Sequence, residues 1–199
     1  ITTPLVMSIA GFDPSSGAGV SADIKTTDSI GAYCFGINTG NTIQNQYELT
    51  DVKWLGAEQI KRQIDAIVSQ NTIRYVKIGI IRSLEVLLEI CEYLCEKLPN
   101  VRICWDPILV SSSGFVLHGS ESIRMQQSPL SDILDKIYLI TPNYGEAQTL
   151  FGSSCSDEDI QRYADRHGVN ILIKGGHRGD ESPFVCDSLY SVGGQRSDF

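Results

Sequence analysis

The sequence has no apolar run long enough to span a bilayer. Its longest stretch, Leu5 to Phe12, is broken by Ser8, whereas a spanning helix needs about 20 apolar residues. No positively charged segment precedes that stretch, so it does not read as a secretory signal. Basic residues are few: 16 Lys and Arg against 24 Asp and Glu, a formal charge of −8. That balance excludes nonspecific binding to nucleic acid or to an anionic membrane. It leaves small anionic substrates open, because a few local donors outweigh net charge. The six cysteines, at 34, 91, 95, 104, 155 and 186, include no CxxC pair. Neither a disulfide framework nor a zinc site follows from such spacing, which predicts reduced structural thiols and a cytoplasmic setting. Cys91 and Cys95, four apart in a helical pattern, are both expected to face the core. No Ser/His/Asp arrangement, paired catalytic carboxylates, repeat or low-complexity tract is present. His118 and His167 have no recognisable partners and are read as structural or surface residues, with His167-Gly168 at a helix C-terminus.

What is present is an ordinary globular composition, 42% apolar and 20% charged over 199 residues, enough for one domain with a sizeable core. Short apolar runs alternate with helical patterns. Leu5–Ala10 reads as a buried strand, and helical spacing follows from about Gly17 to Ile30. Ile60, Ile64, Ile67 and Val68 mark a second helix, before a strand at Arg74–Ile78. The clearest helix runs from about Leu84 to Leu98, with Ser83 as its N-cap and Pro99 as its stop. Val101–Trp105, Ile137–Ile140 and Asn170–Ile173 are further strands. Helices are expected after Asn143 and from about Asp157 to His167. Phe184–Cys186 with Ser188–Val192 looks like a hairpin pair. This alternation predicts a mostly parallel sheet with helices on both faces and ligands at the carboxyl ends of its strands.

The unusual polar residues fall at those ends. Gly11–Gly19 holds three glycines, a proline and two serines at a strand-to-helix junction. It permits a tight turn, close backbone approach, and use of the amides that open the next helix. It is neither a Walker A loop nor GxGxxG, and a plain glycine-rich connection would look the same. Asp23, one turn into that helix, reads by itself as a solvated carboxylate. Asn41–Asn45 gathers amides that suit a heteroaromatic ring edge, or simply a polar turn. Asp106-Pro107 places a carboxylate where a cation could sit. Thr141–Glu146 begins a helix, so Asn143 and Glu146 either cap it or face phosphates and Mg²⁺. Lys174–His177 supplies a cation and two glycines where a phosphate could approach, or a plain turn.

Taken in order, these pieces resemble a known family. Ala10–Thr26 is similar to the N-terminal motif of the hydroxymethylpyrimidine/phosphomethylpyrimidine kinases. Gly31-Ala-Tyr, Gln44-Asn45, Lys77-Ile-Gly79, Trp105-Asp-Pro, Thr141–Ala147 and Lys174–His177 continue the pattern over nearly the whole chain. The resemblance implies a single ribokinase-like domain over 1–199: a three-layer α/β/α fold with a mostly parallel central sheet. It also implies phosphorylation, with ATP and Mg²⁺, of hydroxymethylpyrimidine and its monophosphate in thiamine biosynthesis, and a homodimer. Carried over by position, Gly11, Asp23, Gln44, Ile80 and Ile108 would bind the pyrimidine. Asn143, Lys174 and Gly175 would lie toward the ATP phosphates, with Glu146 and Asp106 toward Mg²⁺ through water.

There are departures from the pattern. Ser16 stands where the family usually has Gly, and Ile80 where Met is common. Nothing matches the Gly-Thr-Gly-Cys-type motif that forms the family's anion hole and carries its base, so the chain is expected to lack that segment. Cys186, with no glycine-rich turn beside it, is not given that role. The opening on Ile1 rather than Met likewise carries the expectation of missing leading residues. Three competing readings remain: a pyridoxal or pyridoxine kinase, a non-catalytic pyrimidine-binding module, and a dinucleotide-binding oxidoreductase. The last lacks GxGxxG and an acidic residue after the second strand.

Overall fold

The computed structural model describes residues 3–109, 129–152, 155–177 and 185–199; His118 and Phe184 lie outside them. The described strands are β1 (Leu5–Phe12), β2 (Tyr33–Gln44), β3 (Leu49–Trp54), β4 (Tyr75–Ile78), β5 (Arg102–Trp105), β6 (Leu139–Ile140), β7 (Asn170–Ile173), β8 (Ser188–Ser191) and β9 (Gln195–Asp198). They form one sheet in the order β3-β2-β1-β4-β5-β6-β7-β8-β9. Pairing is parallel from β2 through β7 and antiparallel at both margins. The helices are α1 (Gly19–Ser29), α2 (Ala57–Val68), α3 (Leu84–Lys97), α4 (Leu130–Leu134), α5 (Tyr144–Phe151) and α6 (Asp157–His167).

Strand alternation sorts residues between the two faces. Met7, Ile9, Val76, Ile78, Ile103, Trp105, Ile140, Ile171 and Tyr190 are buried in one cluster with the apolar stripes of α2 to α6. On the opposite face Ser8, Lys77, Cys104 and Leu139 stand in one row across β1, β4, β5 and β6. Only α1 packs there among the described helices: the missing Cβ of Gly36 lets Val20 and Ile24 close on β2. Helices thus cover both faces, unequally.

Capping sets the helix ends. Ser83 Oγ accepts from Val86 N at the start of α3. Ser156 opens α6, whose first turn is acidic and whose last turn carries Arg166 and His167 before Gly168 at φ 62°. The His167 ring bonds Asp135 at 2.7 Å, tying the ends of α6 and α4. All six cysteines are free.

Two expectations are corrected. Cys91 is buried but Cys95 is exposed, because four residues advance a helix about 40° past a full turn, off the edge of a stripe centred on Leu87, Cys91 and Leu94. The C-terminal hairpin is Ser188–Ser191 with Gln195–Asp198, turning through Gly193 and Gly194 at φ 95° and 87°; Val185 and Cys186 are outside any strand. Among the described residues no helix is long and apolar enough to cross a membrane.

Candidate active site

The first part of the site is built by the junction of β1 and α1. Asp13 is buried and accepts from Ser15 N at 2.7 Å, Ser15 Oγ at 2.8 Å, Gly17 N at 3.0 Å and Ala18 N at 2.9 Å. Burial pushes its pKa up, but hydrogen bonds from Ser15, the Gln44 side chain and backbone amides prevail and hold the carboxyl below its usual value. Two amides near the start of α1 are therefore already occupied, and the loop is not a bare phosphate cradle. Gly19, at φ 58°, lies so close to Gly11 that a Cβ would meet its carbonyl oxygen at 2.0 Å. The loop is locked from inside, and its outer surface forms one wall of a cavity.

That cavity measures about 390 Å³ and lies at the carboxyl ends of β1, β2 and β4. Gly11, Gln44, Ile80 and Ile108 all line it. A Cβ on Gly11 would come within 2.5 Å of Ile80 Cδ1, so glycine there is what admits the Ile80 side chain. Thr39 Oγ1 donates to the Ile80 carbonyl at 2.7 Å and fixes that turn. Residues 45–48, which join β2 to β3, also line it, braced by Asn45 Oδ1, which accepts from Tyr47 N and Glu48 N. Asp23 is not on the cavity wall. Its carboxylate instead pairs with Lys77 Nζ, at 2.8 and 3.0 Å, and Lys77 lines the cavity.

The second part gathers after β5, β6 and β7. Lys174 Nζ lies 2.8 Å from Asp106 Oδ1, to which Thr141 Oγ1 also donates at 3.2 Å. Asn143 and Glu146 form a reciprocal cap on α5: Glu146 N donates to Asn143 Oδ1 at 2.9 Å and Asn143 N to Glu146 Oε2 at 2.8 Å. Burial pushes the Glu146 carboxyl pKa up, with Asp106 adding to the shift and the Asn143 and Leu109 amides and Lys174 opposing it. Gly175 has a structural reason of its own. Its amide donates to Asp187 Oδ1 at 2.9 Å, and a Cβ would meet the Cys186 carbonyl oxygen at 2.1 Å.

The sequence reading missed Lys77 and Asp13. A lone Lys inside the parallel strand Tyr75–Ile78 was a usable signal, since such strands are normally apolar throughout. Asp13-Pro-Ser also has the composition of an Asx turn.

The sequence pattern of the phosphomethylpyrimidine kinases matches residues 13–199. The chain belongs to this family. It is 34% identical over 191 residues to the hydroxymethylpyrimidine/phosphomethylpyrimidine kinase of Aquifex aeolicus, covering 94% of this chain and 72% of that one. It is 33% identical over 182 residues to a probable chloroplastic thiamine biosynthetic bifunctional enzyme of Oryza sativa, covering 87% of this chain but 32% of the rice protein. Phosphomethylpyrimidine kinase from Clostridium difficile superposes with a TM-score of 0.81 at 32% identity, over 99% of this chain and 84% of that chain. Staphylococcus aureus pyridoxal kinase in complex with AMP-PCP gives 0.78 at 25% identity, over 99% and 71%.

The resemblance expects glycine at position 16, and the backbone there has a conformation that suits it. Ser16 sits at φ 59°, the left-handed region that glycine enters without strain. The kinases' ribokinase-like, mostly parallel sheet is present.

Proposed function

We propose that this chain carries an ATP-dependent kinase for 4-amino-5-hydroxymethyl-2-methylpyrimidine and its monophosphate, acting in thiamine biosynthesis. The observation that supports this most is the segment 106–109. Asp106 pairs with Lys174, Ile108 lines the cavity, and the Leu109 amide meets Glu146. A ring-binding cavity and a cationic, carboxylate-bearing cluster therefore share one short stretch of chain. Phosphoryl transfer requires such proximity between an acceptor hydroxyl and a nucleotide.

In this reading Ile80 and Ile108 hold the ring's faces and Gly11 allows close approach. An ionised Asp13 only accepts, so the Gln44 group that meets it is the amide NH₂. The Gln44 carbonyl is left to accept from the pyrimidine 4-amino group. Lys174 places positive charge near the phosphates, and Asn143 orders the turn beside them. Bound Mg-ATP supplies the phosphoryl group and neutralises its charge. Among the described residues no group of three or more His, Cys, Asp or Glu side chains could hold a metal ion. Two carboxylates, Asp106 and Glu146, stand in the cluster beside Lys174, which suits a Mg²⁺ held chiefly by nucleotide phosphates and reached through water.

The similarity to a pyridoxal kinase makes pyridoxal the competing substrate. Turnover of both rings by the purified full-length protein with Mg-ATP, followed by ADP release and product mass, decides between them. The expected outcome is mono- and then diphosphorylated pyrimidine, with kcat/KM about tenfold or more above that for pyridoxal. Preference for pyridoxal reassigns the substrate; binding without turnover reduces the protein to a pyrimidine-binding module. The homodimer belongs to the same reading, and sedimentation at working concentration measures it.

A further inference from the structure

The polar floor of the cavity is Lys77, held in an ion pair by Asp23, which does not itself line the cavity. Lys77 rises from β4, where its neighbours Val76 and Ile78 are buried in the core. Lys77 lines the cavity, and both Asp23 oxygens lie within 3.0 Å of its ammonium. The carboxylate is itself fixed by Ser8 Oγ, which donates to Asp23 Oδ2. Ser8 and Lys77 are register partners on β1 and β4, while Asp23 descends from α1. Three elements therefore aim one ammonium. A missing Cβ at Gly79, which would stand 3.3 Å from Lys77 Nζ, keeps its path clear.

An ammonium has three protons and no acceptor capacity. Among the described hydrogen bonds Asp23 is the sole partner of Lys77, and a carboxylate engaged through two oxygens leaves at least one proton free. The cavity is otherwise walled here by Ala10, Gly79 and Ile80, none of which has a side-chain donor.

We infer that Lys77 is the residue that donates from this floor to a ring nitrogen of the heteroaromatic substrate, and that Asp23 acts on the substrate only by positioning Lys77. The inference rests on the pyrimidine reading above and adds to it a donor and a division of labour between two residues. Gln44 accepts from the exocyclic amine, Lys77 donates to the ring, and the pair distinguishes an aminopyrimidine from a ring of the same shape without nitrogens.

The test uses calorimetry with the purified full-length protein and two probes: 4-amino-5-hydroxymethyl-2-methylpyrimidine and 2-amino-4-methylbenzyl alcohol, the same skeleton with both ring nitrogens replaced by CH. Wild-type protein is expected to bind the pyrimidine about tenfold or more tightly than the benzyl analogue. Lys77→Met should abolish that preference while KM for ATP stays within about twofold of wild type. Asp23→Asn should weaken pyrimidine binding in the wild-type background. It should add nothing in the Lys77→Met background, where there is no ammonium left to position. That double variant also removes the uncompensated carboxylate, and so keeps the test open if Lys77→Met alone does not fold. Equal binding of the two probes by wild type overturns the inference without any variant. So does a retained preference in Lys77→Met, or an Asp23→Asn cost that persists without Lys77. Wild-type protein that binds neither probe overturns the pyrimidine reading and the inference together, whereas the other adverse outcomes leave that reading standing.

Discussion

Ser16 is a residue whose backbone works against its side chain. It holds φ at 59°, and an L-residue there costs roughly 1–2 kcal/mol. Glycine loses more conformational freedom than serine on folding, which offsets part of this, so the net gain from glycine is smaller. The backbone contacts that justify the conformation do not need the hydroxyl: Ser16 N donates to the Asp13 carbonyl at 3.0 Å, and Lys25 donates to the Ser16 carbonyl at 2.8 Å. Ser16→Gly is therefore expected to stabilise the protein by about 0.5–1 kcal/mol, raising Tm by roughly 1–4 °C in a melting experiment. A lower Tm would mean that the serine hydroxyl has a stabilising partner. Gly19→Ala supplies the opposite control, since its methyl would collide with the Gly11 carbonyl.

At the scale of elements, α5 begins on a buried carboxylate. Glu146 caps the helix by accepting from Asn143 N, a bond that the neutral amide of Gln can reproduce. Burial holds the Glu146 pKa above its ordinary value of 4.5, so over that range the folded state binds more protons than the unfolded state. Its favourable contribution is then complete below the unfolded pKa and is lost as pH rises through the folded one. Glu146→Gln does not titrate. The variant's stability relative to wild type, measured by urea unfolding, should therefore rise from about pH 4 upward and level off above the folded pKa. A difference that falls with pH would show that the carboxylate is better satisfied in the folded protein than its burial implies. Such elements were legible in the sequence where capping and periodicity agree. Ser83 and the stripe of α3, the span of α6 from Asp157 to its C-terminus at His167-Gly168, and the apolar run of β7 all fall where expected. The C-terminal hairpin was misplaced because an apolar pair at Val185-Cys186 outweighed the Gly193-Gly194 turn that sets the register. Asp106 and Lys174 were legible as site candidates because each follows a strand directly, and Asn143 and Glu146 because they open the helix that comes soon after β6. The role of Lys77 was not, because its partner Asp23 lies 54 positions away in the chain and only the parallel pairing of β1 with β4 brings them together.

Across the whole molecule, the two halves of the site occupy one edge of the sheet but belong to different strands. Gln44 ends β2, and Lys174 follows β7, with β1, β4, β5 and β6 between those strands. Those five inter-strand steps amount to roughly 24 Å of backbone separation. Side chains shorten the gap, since Lys174 reaches back to Asp106 beyond β5, yet no hydrogen bond joins Gln44 to that cluster among the described residues. Effects at such separated positions are generally additive. Gln44→Ala should accordingly raise KM for the pyrimidine about tenfold and leave KM for ATP within about twofold, whereas Lys174→Ala should do the reverse. In the double variant the two losses in kcat/KM should multiply. The segment 106–109 is the one physical route by which they could fail to do so, because it touches the cavity through Ile108 and the cluster through Asp106 and Leu109. A double variant that departs from the product by more than about twofold would identify that segment as an energetic link between ring and nucleotide. Ile108→Val, which trims the cavity side of the segment by one methylene, should then alter KM for ATP as well as for the pyrimidine.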